Sequence, residues 1–184
     1  MFYNIIVLHH FHGIPELMDS ISNDIRYAQL LTLIDLIIEH NLLDNTIFLC
    51  SAQPDDKRMG GIKDIAIAEN IKWIDYDEDV EHILHSVNFK ISPANSNVTI
   101  GGTNTAGCVA NSIKNWADLG FDIQVCLSMC ADYQSDGING AEKNQKAAVK
   151  FYRYIKKHNL ISKVDMVYNA NELELRDINN DWMG

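Results

Sequence analysis

The sequence predicts a doubly wound α/β domain, a mainly parallel sheet with helices on both faces. Two observations carry that expectation. The run Asn4–Leu8 (NIIVL) is continuous in apolar residues, as a strand covered on both faces is, and Thr46–Cys50 (TIFLC) and Phe121–Met129 (FDIQVCLSM) read as further strands. Between such runs lie stretches with helical periodicity, giving the order β, α, β, β, α, β, α, β, α, β.

Each element has a local reason. Asn4–Leu8 is the first strand and ends in His9-His10-Phe11-His12-Gly13. Asp24–Asn41 carries Leu30, Leu31, Leu33, Ile34, Leu36, Ile37 and Ile38, a wide apolar face expected of a long, well-buried helix. Thr46–Cys50 is the second strand, after a turn at Asn41–Asn45. Lys57–Gly61 reads as a charged, flexible loop, and Ile62–Ala68 as either a short helix or a strand. Ile71–Tyr76 (IKWIDY) is a strand, and residues 79–87 form a helix with Val80, Ile83, Leu84 and Val87 inward. Val98-Thr99-Ile100 is a β-branched strand. Gly101–Gly107 follows as a turn of small residues, and a helix opens at Cys108 with Val109, Ile113, Trp116 and Ala117 on one face. Phe121–Met129 is the next strand, and Gln134–Gly140 is a Gly/Asn/Ser-rich loop that could form a lid. Ala141–His158 is a helix, Val164–Tyr168 the last strand, and Asn171 begins the tail.

Composition bounds the function. A chain of 184 residues, 47% apolar and 22% charged, is read as one domain over residues 1–184 with a sizeable core. The net charge of −10 argues against nucleic acid or an anionic membrane as the main partner. The apolar run Ile5–Leu8 is too short for a signal peptide or a membrane span. Four cysteines (Cys50, Cys108, Cys126, Cys130) show no paired metal-ligand spacing and suit a reducing cytoplasm. No metal or cofactor is expected. His9 and His10 would point to opposite faces of a strand, which disfavours a metal site with His12. A redox role would need reversible oxidation of Cys126 and Cys130.

The stretch with chemical content is Asn97–Leu119, NVTIGGTNTAGCVANSIKNWADL. A thiol at the amino end of a helix ionises more readily, because unpaired N–H groups and the positive end of the dipole face it. The same N–H groups can hold an oxyanion forming on an attacked carbonyl. The alternative is a buried cysteine acting as an apolar filler.

Ile100–Val109, IGGTNTAGCV, resembles the nucleophile segment of the isochorismatase-like cysteine hydrolases, whose pattern is apolar-x-G-x-x-T-x-x-C-V. Gly102, Thr105, Cys108 and Val109 fall on it. That family includes nicotinamidases and N-carbamoyl amidases. The resemblance implies a Rossmann-like three-layer fold, Cys108 as nucleophile on an amide-like carbon, and the backbone N–H groups of Asn104 and Cys108 as oxyanion donors. It also implies a cis peptide between Thr103 and Asn104. It puts His9 on the position of the family's general-base Asp. His9 could pair with Cys108 as a base, the base could be lost in a non-catalytic relative, or His9 could be a satisfied strand-end residue.

The family's site lysine has two candidates, Lys72 and Lys90, and chain length favours Lys72, because only it leaves room for a crossover before Val98. His10, Thr105, Cys130 and Tyr133 are candidate pocket groups. Asp55 and Asp56 stand without a histidine where nicotinamidases bind a metal. Family members are commonly homo-oligomers, and the tail with Trp182 and Met183 could serve such an interface.

Overall fold

The apolar strand runs are buried end to end, and this organises the molecule. A computed structural model describes residues 2–9, 20–51, 57–76, 91–103, 105–131 and 140–176. Its elements are β1 (Tyr3–His9), α1 (Ser20–Glu39), β2 (Thr46–Cys50), α2 (Lys57–Ala68), β3 (Lys72–Asp75) and β4 (Ser96–Thr103). After β4 come a π-helical turn (Thr105–Val109), α3 (Ala110–Asp118), β5 (Ile123–Ala131), α4 (Gly140–Lys157) and β6 (Val164–Val167). The helix expected at 79–87 lies outside the described residues, as do the loop at 134–139 and the tail with Trp182 and Met183.

The six strands form one sheet, ordered β3-β2-β1-β4-β5-β6, with every pairing parallel. From β1 the chain winds outward to β2 and β3, then returns to β4 on the other side and winds outward again. The doubly wound α/β expectation therefore holds. The strand order reverses between β1 and β4, and in such sheets ligands gather in the crevice beyond the carboxyl ends at that point.

Alternation along each strand sends side chains to two separate cores. Ile5, Val7, Ile47, Leu49, Val98 and Ile100 meet Trp116 from α3 and Phe151 and Ile155 from α4. Ile6, Leu8 and Phe48 meet Leu30, Leu33, Ile34 and Ile37 from α1, and Met59, Ile62 and Ala66 from α2. The wide apolar face read for the first long helix is thus used against the sheet.

Three readings are corrected. Residues 57–61 are not a loop: they open α2, which runs to Ala68, and Met59 and Ile62 seal it to the core. Gly101 and Gly102 belong to β4 rather than to a turn, because they pair with Leu8 and His9. The π-helical turn Thr105–Val109 precedes α3, so Cys108 lies in that turn and the α-helix opens at Ala110.

An extended stretch, Leu173 to Arg176, straps the amino-terminal rim of the sheet. Gln124 grips Glu174 at both its N–H (2.7 Å) and its carbonyl (3.0 Å). Asn97 donates to the same carbonyl at 2.7 Å. Asn4 grips Arg176 at its N–H and its carbonyl, both at 3.0 Å, and Asn45 adds a bond at 2.9 Å. Four carboxamides at or near the starts of four strands thus act as a substitute hydrogen-bonding edge. Leu173 and Leu175 between them pack against the core on the α1 side.

The carboxyl-end contact of β1 and β4 admits only glycine. A Cβ at Gly102 would lie 2.1 Å from the His9 carbonyl oxygen, a backbone atom that cannot swing aside. Gly102→Ala is expected to cost about 3 kcal/mol or more in urea unfolding, through forced separation of the two strands. Gly60→Ala in α2, where a Cβ meets nothing within 4 Å, is expected to add about 0.5–1 kcal/mol. Equal effects from the two substitutions would contradict this account.

Candidate functional site

The site is built where β1 and β4 end side by side. His9 closes β1, pairs in register with Gly102, and is half-buried at the rim. Its position in the alternation of β1 (Tyr3, Ile5, Val7, His9) gives it the face covered by α3 and α4. Val109, at the end of the π-helical turn, belongs to the core of that same face. Its side chain would lie 3.1 Å from a Cβ at Gly102, so the turn sits directly on the strand end. Cys108, one residue earlier, is half-buried, whereas Thr105 and Val109 are buried. The structure therefore brings His9 and the Cys108 turn to one end and one face of adjacent strands. Cys130 joins them, paired with Gly102 from the β5 side and buried in the same core.

β5 reaches this position through an irregularity. While β4 advances from Ile100 to Gly102, β5 advances from Val125 to Cys130. The extra residues bulge out, and Met129 packs so closely on Gly101 that a Cβ there would lie 2.9 Å from the Met129 Cβ. The bulge puts Cys126 in the α1-side core and Cys130 in the α3-side core. All four cysteines are free thiols. Burial raises the pKa of the Cys126 thiol, which is held by Ser128 at 3.4 Å. Two thiols on opposite faces of one strand do not form the redox pair considered from the sequence.

Lys72 is not brought to the cysteine. It is level with Ile47, and through it with Ile5 and Val98, on the exposed edge strand. Three strand spacings of ~4.8 Å and five residues of ~3.3 Å separate it from Thr103, more than its side chain spans. What β3 sends to the rim instead is Tyr76, immediately beyond its end. The Tyr76 hydroxyl lies 3.2 Å from His9 Nδ1. Burial, with the Cys50 thiol as a smaller contribution, pushes the phenol's pKa well above its usual value. Asn104, His10, Tyr133, Lys90, Asp55 and Asp56 lie outside the described residues, and so does the Thr103–Asn104 peptide.

Arg26 was missed by sequence reading. It sits on α1 among leucines and isoleucines, yet is only 1% exposed. Its guanidinium donates to Thr103 Oγ1 at 3.1 Å and to the Met129 carbonyl at 3.4 Å. It thereby ties the last residue of β4 to the bulge of β5, from the face opposite His9. A lone arginine on an otherwise apolar helical stripe was the available signal. Among the described residues no three His, Cys, Asp or Glu side chains converge as a metal-ligand set. Among the same residues no helix is long and apolar enough to cross a membrane.

Comparison with solved structures identifies the class of fold, that of the isochorismatase-like hydrolases. The YcaC gene product of Escherichia coli, described as an octameric hydrolase of unknown specificity, superposes with a TM-score of 0.57. It shares 18% identity over 90% of this chain and 74% of its own. Nicotinamidase PncA from Bacillus subtilis gives a TM-score of 0.55 at 9% identity, covering 89% of this chain and 99% of its own. The MAR1 ribonuclease from Caenorhabditis elegans gives 0.52 at 12% identity, covering 92% and 78%. No protein-family model matches the sequence, and no curated protein sequence matches it. Identities this low establish the shared fold, and one fold carrying differently described activities leaves function to the site.

Arg26→Met is expected to lower stability by about 2–3 kcal/mol, the cost of removing charged donors from two buried oxygens. Chemical denaturation measures this. A loss below about 0.5 kcal/mol would mean that the tie between β4 and β5 contributes nothing.

Proposed function

We propose that this chain is a cysteine hydrolase of the isochorismatase-like type, cleaving a small-molecule amide or related C–N bond. The carrying observation is the convergence of His9 and the Cys108 turn at the switch point of the sheet. In this reading His9 takes the thiol proton, and Cys108 Sγ attacks the carbonyl carbon. Backbone N–H groups of the turn hold the oxyanion, those of Asn104 and Cys108 by resemblance. The imidazolium returns its proton to the departing amine, leaving a thioester that water hydrolyses to the acid and free thiol. Thr105 and Cys130 line the pocket, with His10 and Tyr133 as further candidates, and Lys72 has no part in it. The described activity of the nicotinamidase neighbour supports an amide substrate. The net charge of −10 disfavours RNA, despite the ribonuclease neighbour.

A second reading rests on His9 itself. It stands where the resemblance implies a carboxylate, and a chain that has lost its base would bind a ligand without turning it over.

Two measurements separate these readings: ammonia release from a panel of small primary amides, and iodoacetamide alkylation of Cys108. The hydrolase reading expects turnover that Cys108→Ala abolishes, and alkylation slowed about 100-fold or more by His9→Gln. No ammonia from any amide, with alkylation indifferent to His9, would leave the binding reading.

We also propose a cytoplasmic homo-oligomer. Val149 and Tyr152 expose an apolar patch on α4, each 49% accessible, and the YcaC neighbour is described as octameric. Light scattering at micromolar concentration is expected to give a mass several times 20.8 kDa, and a monomer would exclude the assembly.

A further inference from the structure

We propose that the exposed face of α4 is one half of a head-to-tail interface: its line of cations docks antiparallel on the acidic and apolar outer face of α1 in a second copy of this chain. The inference deepens the homo-oligomer reading and rests on it, since it names the two surfaces that meet.

Charge is unevenly placed in this protein. α4 holds five lysines and one arginine against a single glutamate, a net +5 in a chain of net −10, which leaves −15 for the rest. Lys146, Lys150, Arg153 and Lys157 are all exposed, and their spacing of four, three and four residues puts them on one line about 16 Å long. Like charges at that spacing repel and oppose the helix that carries them. Cations in a last turn suit the helix dipole, which accounts for Lys156 and Lys157 but not for Lys146, Lys150 and Arg153. Among the described residues no carboxylate pairs with Lys150, Arg153, Lys156 or Lys157, and Asp118 on neighbouring α3 is engaged by Lys114. Beside the cationic line stand the exposed Val149 and Tyr152.

α1 carries the opposite pattern over its second half. No lysine or arginine occurs between Arg26 and Lys57, and Arg26 itself is buried. Asp35 and Glu39, four apart, are exposed on one line, with exposed Leu31 and Ile38 beside them. In both helices an apolar residue sits one position before a charge: Ile38 before Glu39, Val149 before Lys150, Tyr152 before Arg153. The apolar line therefore lies on the same rotational side of the charged line in each. Laid antiparallel, two such helices bring acid to base and apolar to apolar at once; laid parallel, they do not.

The symmetry of the contact follows. α4 covers the face of the sheet that holds Phe151 and Ile155, and α1 covers the other, so one copy cannot offer both helices to the same neighbour. An isologous contact of α4 on α4 would set cation against cation. The contact is heterologous, and its repetition closes a ring or grows a filament. A polyanion such as RNA would meet the same cations, but its phosphates offer nothing apolar to Val149 and Tyr152, and the overall charge of the chain repels it.

The test is light scattering on two charge-reversed variants, alone and mixed. Lys150→Glu with Arg153→Glu, and separately Asp35→Lys with Glu39→Lys, are each expected to leave a 20.8 kDa protomer with unchanged far-UV circular dichroism, because all four positions are exposed. Mixed in equal amounts, the two variants are expected to regain the wild-type mass, since reversed α4 then meets reversed α1. Raising NaCl from about 0.05 to about 0.5 M is expected to shrink the wild-type assembly. A wild-type oligomer whose mass both reversals leave unchanged overturns the proposal and leaves the oligomer reading standing on another surface. Variants that dissociate alone but stay apart when mixed overturn the pairing of α4 with α1. A monomeric wild-type chain overturns both readings, and if it binds a fluorescein-labelled oligonucleotide that the α4 reversal releases, the cationic line belongs to a polyanion instead.

Discussion

The carboxyl end of the sheet depends on one close approach. β1 and β4 run so near each other that the His9 carbonyl occupies the space a side chain would need on Gly102. This contact fixes the register in which His9 and Gly102 lie level, and it lets Val109 fold down over the strand end. The turn carrying Cys108 therefore sits on the same face as the imidazole. Backbone approach, rather than any side-chain attraction, makes the two neighbours.

Around that contact the fold supplies support from both faces. On one, the turn leads into α3, whose Trp116 meets Phe121 edge-on at 5.0 Å and anchors the helix to the core. On the other, Arg26 reaches up from α1 to bind Thr103 and the Met129 carbonyl. A guanidinium is a reasonable choice there, because its fixed fork can bond two divergent oxygens while its stem packs among aliphatic neighbours. The strand end is thus clamped laterally by β1, above by the turn and below by the arginine.

The layered architecture was legible because apolar strand runs and wide-faced helices are strong periodic signals. The segment Asn97–Leu119 was legible because small residues before a cysteine imply a tight strand-to-helix passage. What failed had physical causes. Gly101 and Gly102 read as a turn, since local sequence does not reveal that glycine here serves a neighbouring strand. Residues 57–61 read as a loop because two glycines and two charges mask a helix whose apolar contacts come from the sheet. Lys72 was chosen by chain length, a criterion blind to strand order: the next strand in sequence lies across the sheet, not beside it. Tyr76 and Arg26 stayed hidden because each acts on a residue far away in sequence, His9 in one case and Thr103 in the other.

The carboxamide strap has a consequence for synthesis on the ribosome. The bonds from Asn4 to Arg176 span 172 residues, joining the start of β1 to the last described residue. While translation is under way, four amide side chains at the sheet's lower margin await partners still inside the exit tunnel. Contacts of such long sequence separation close late. Vectorial folding can therefore assemble the layers early, but that margin is completed only once residue 176 has emerged.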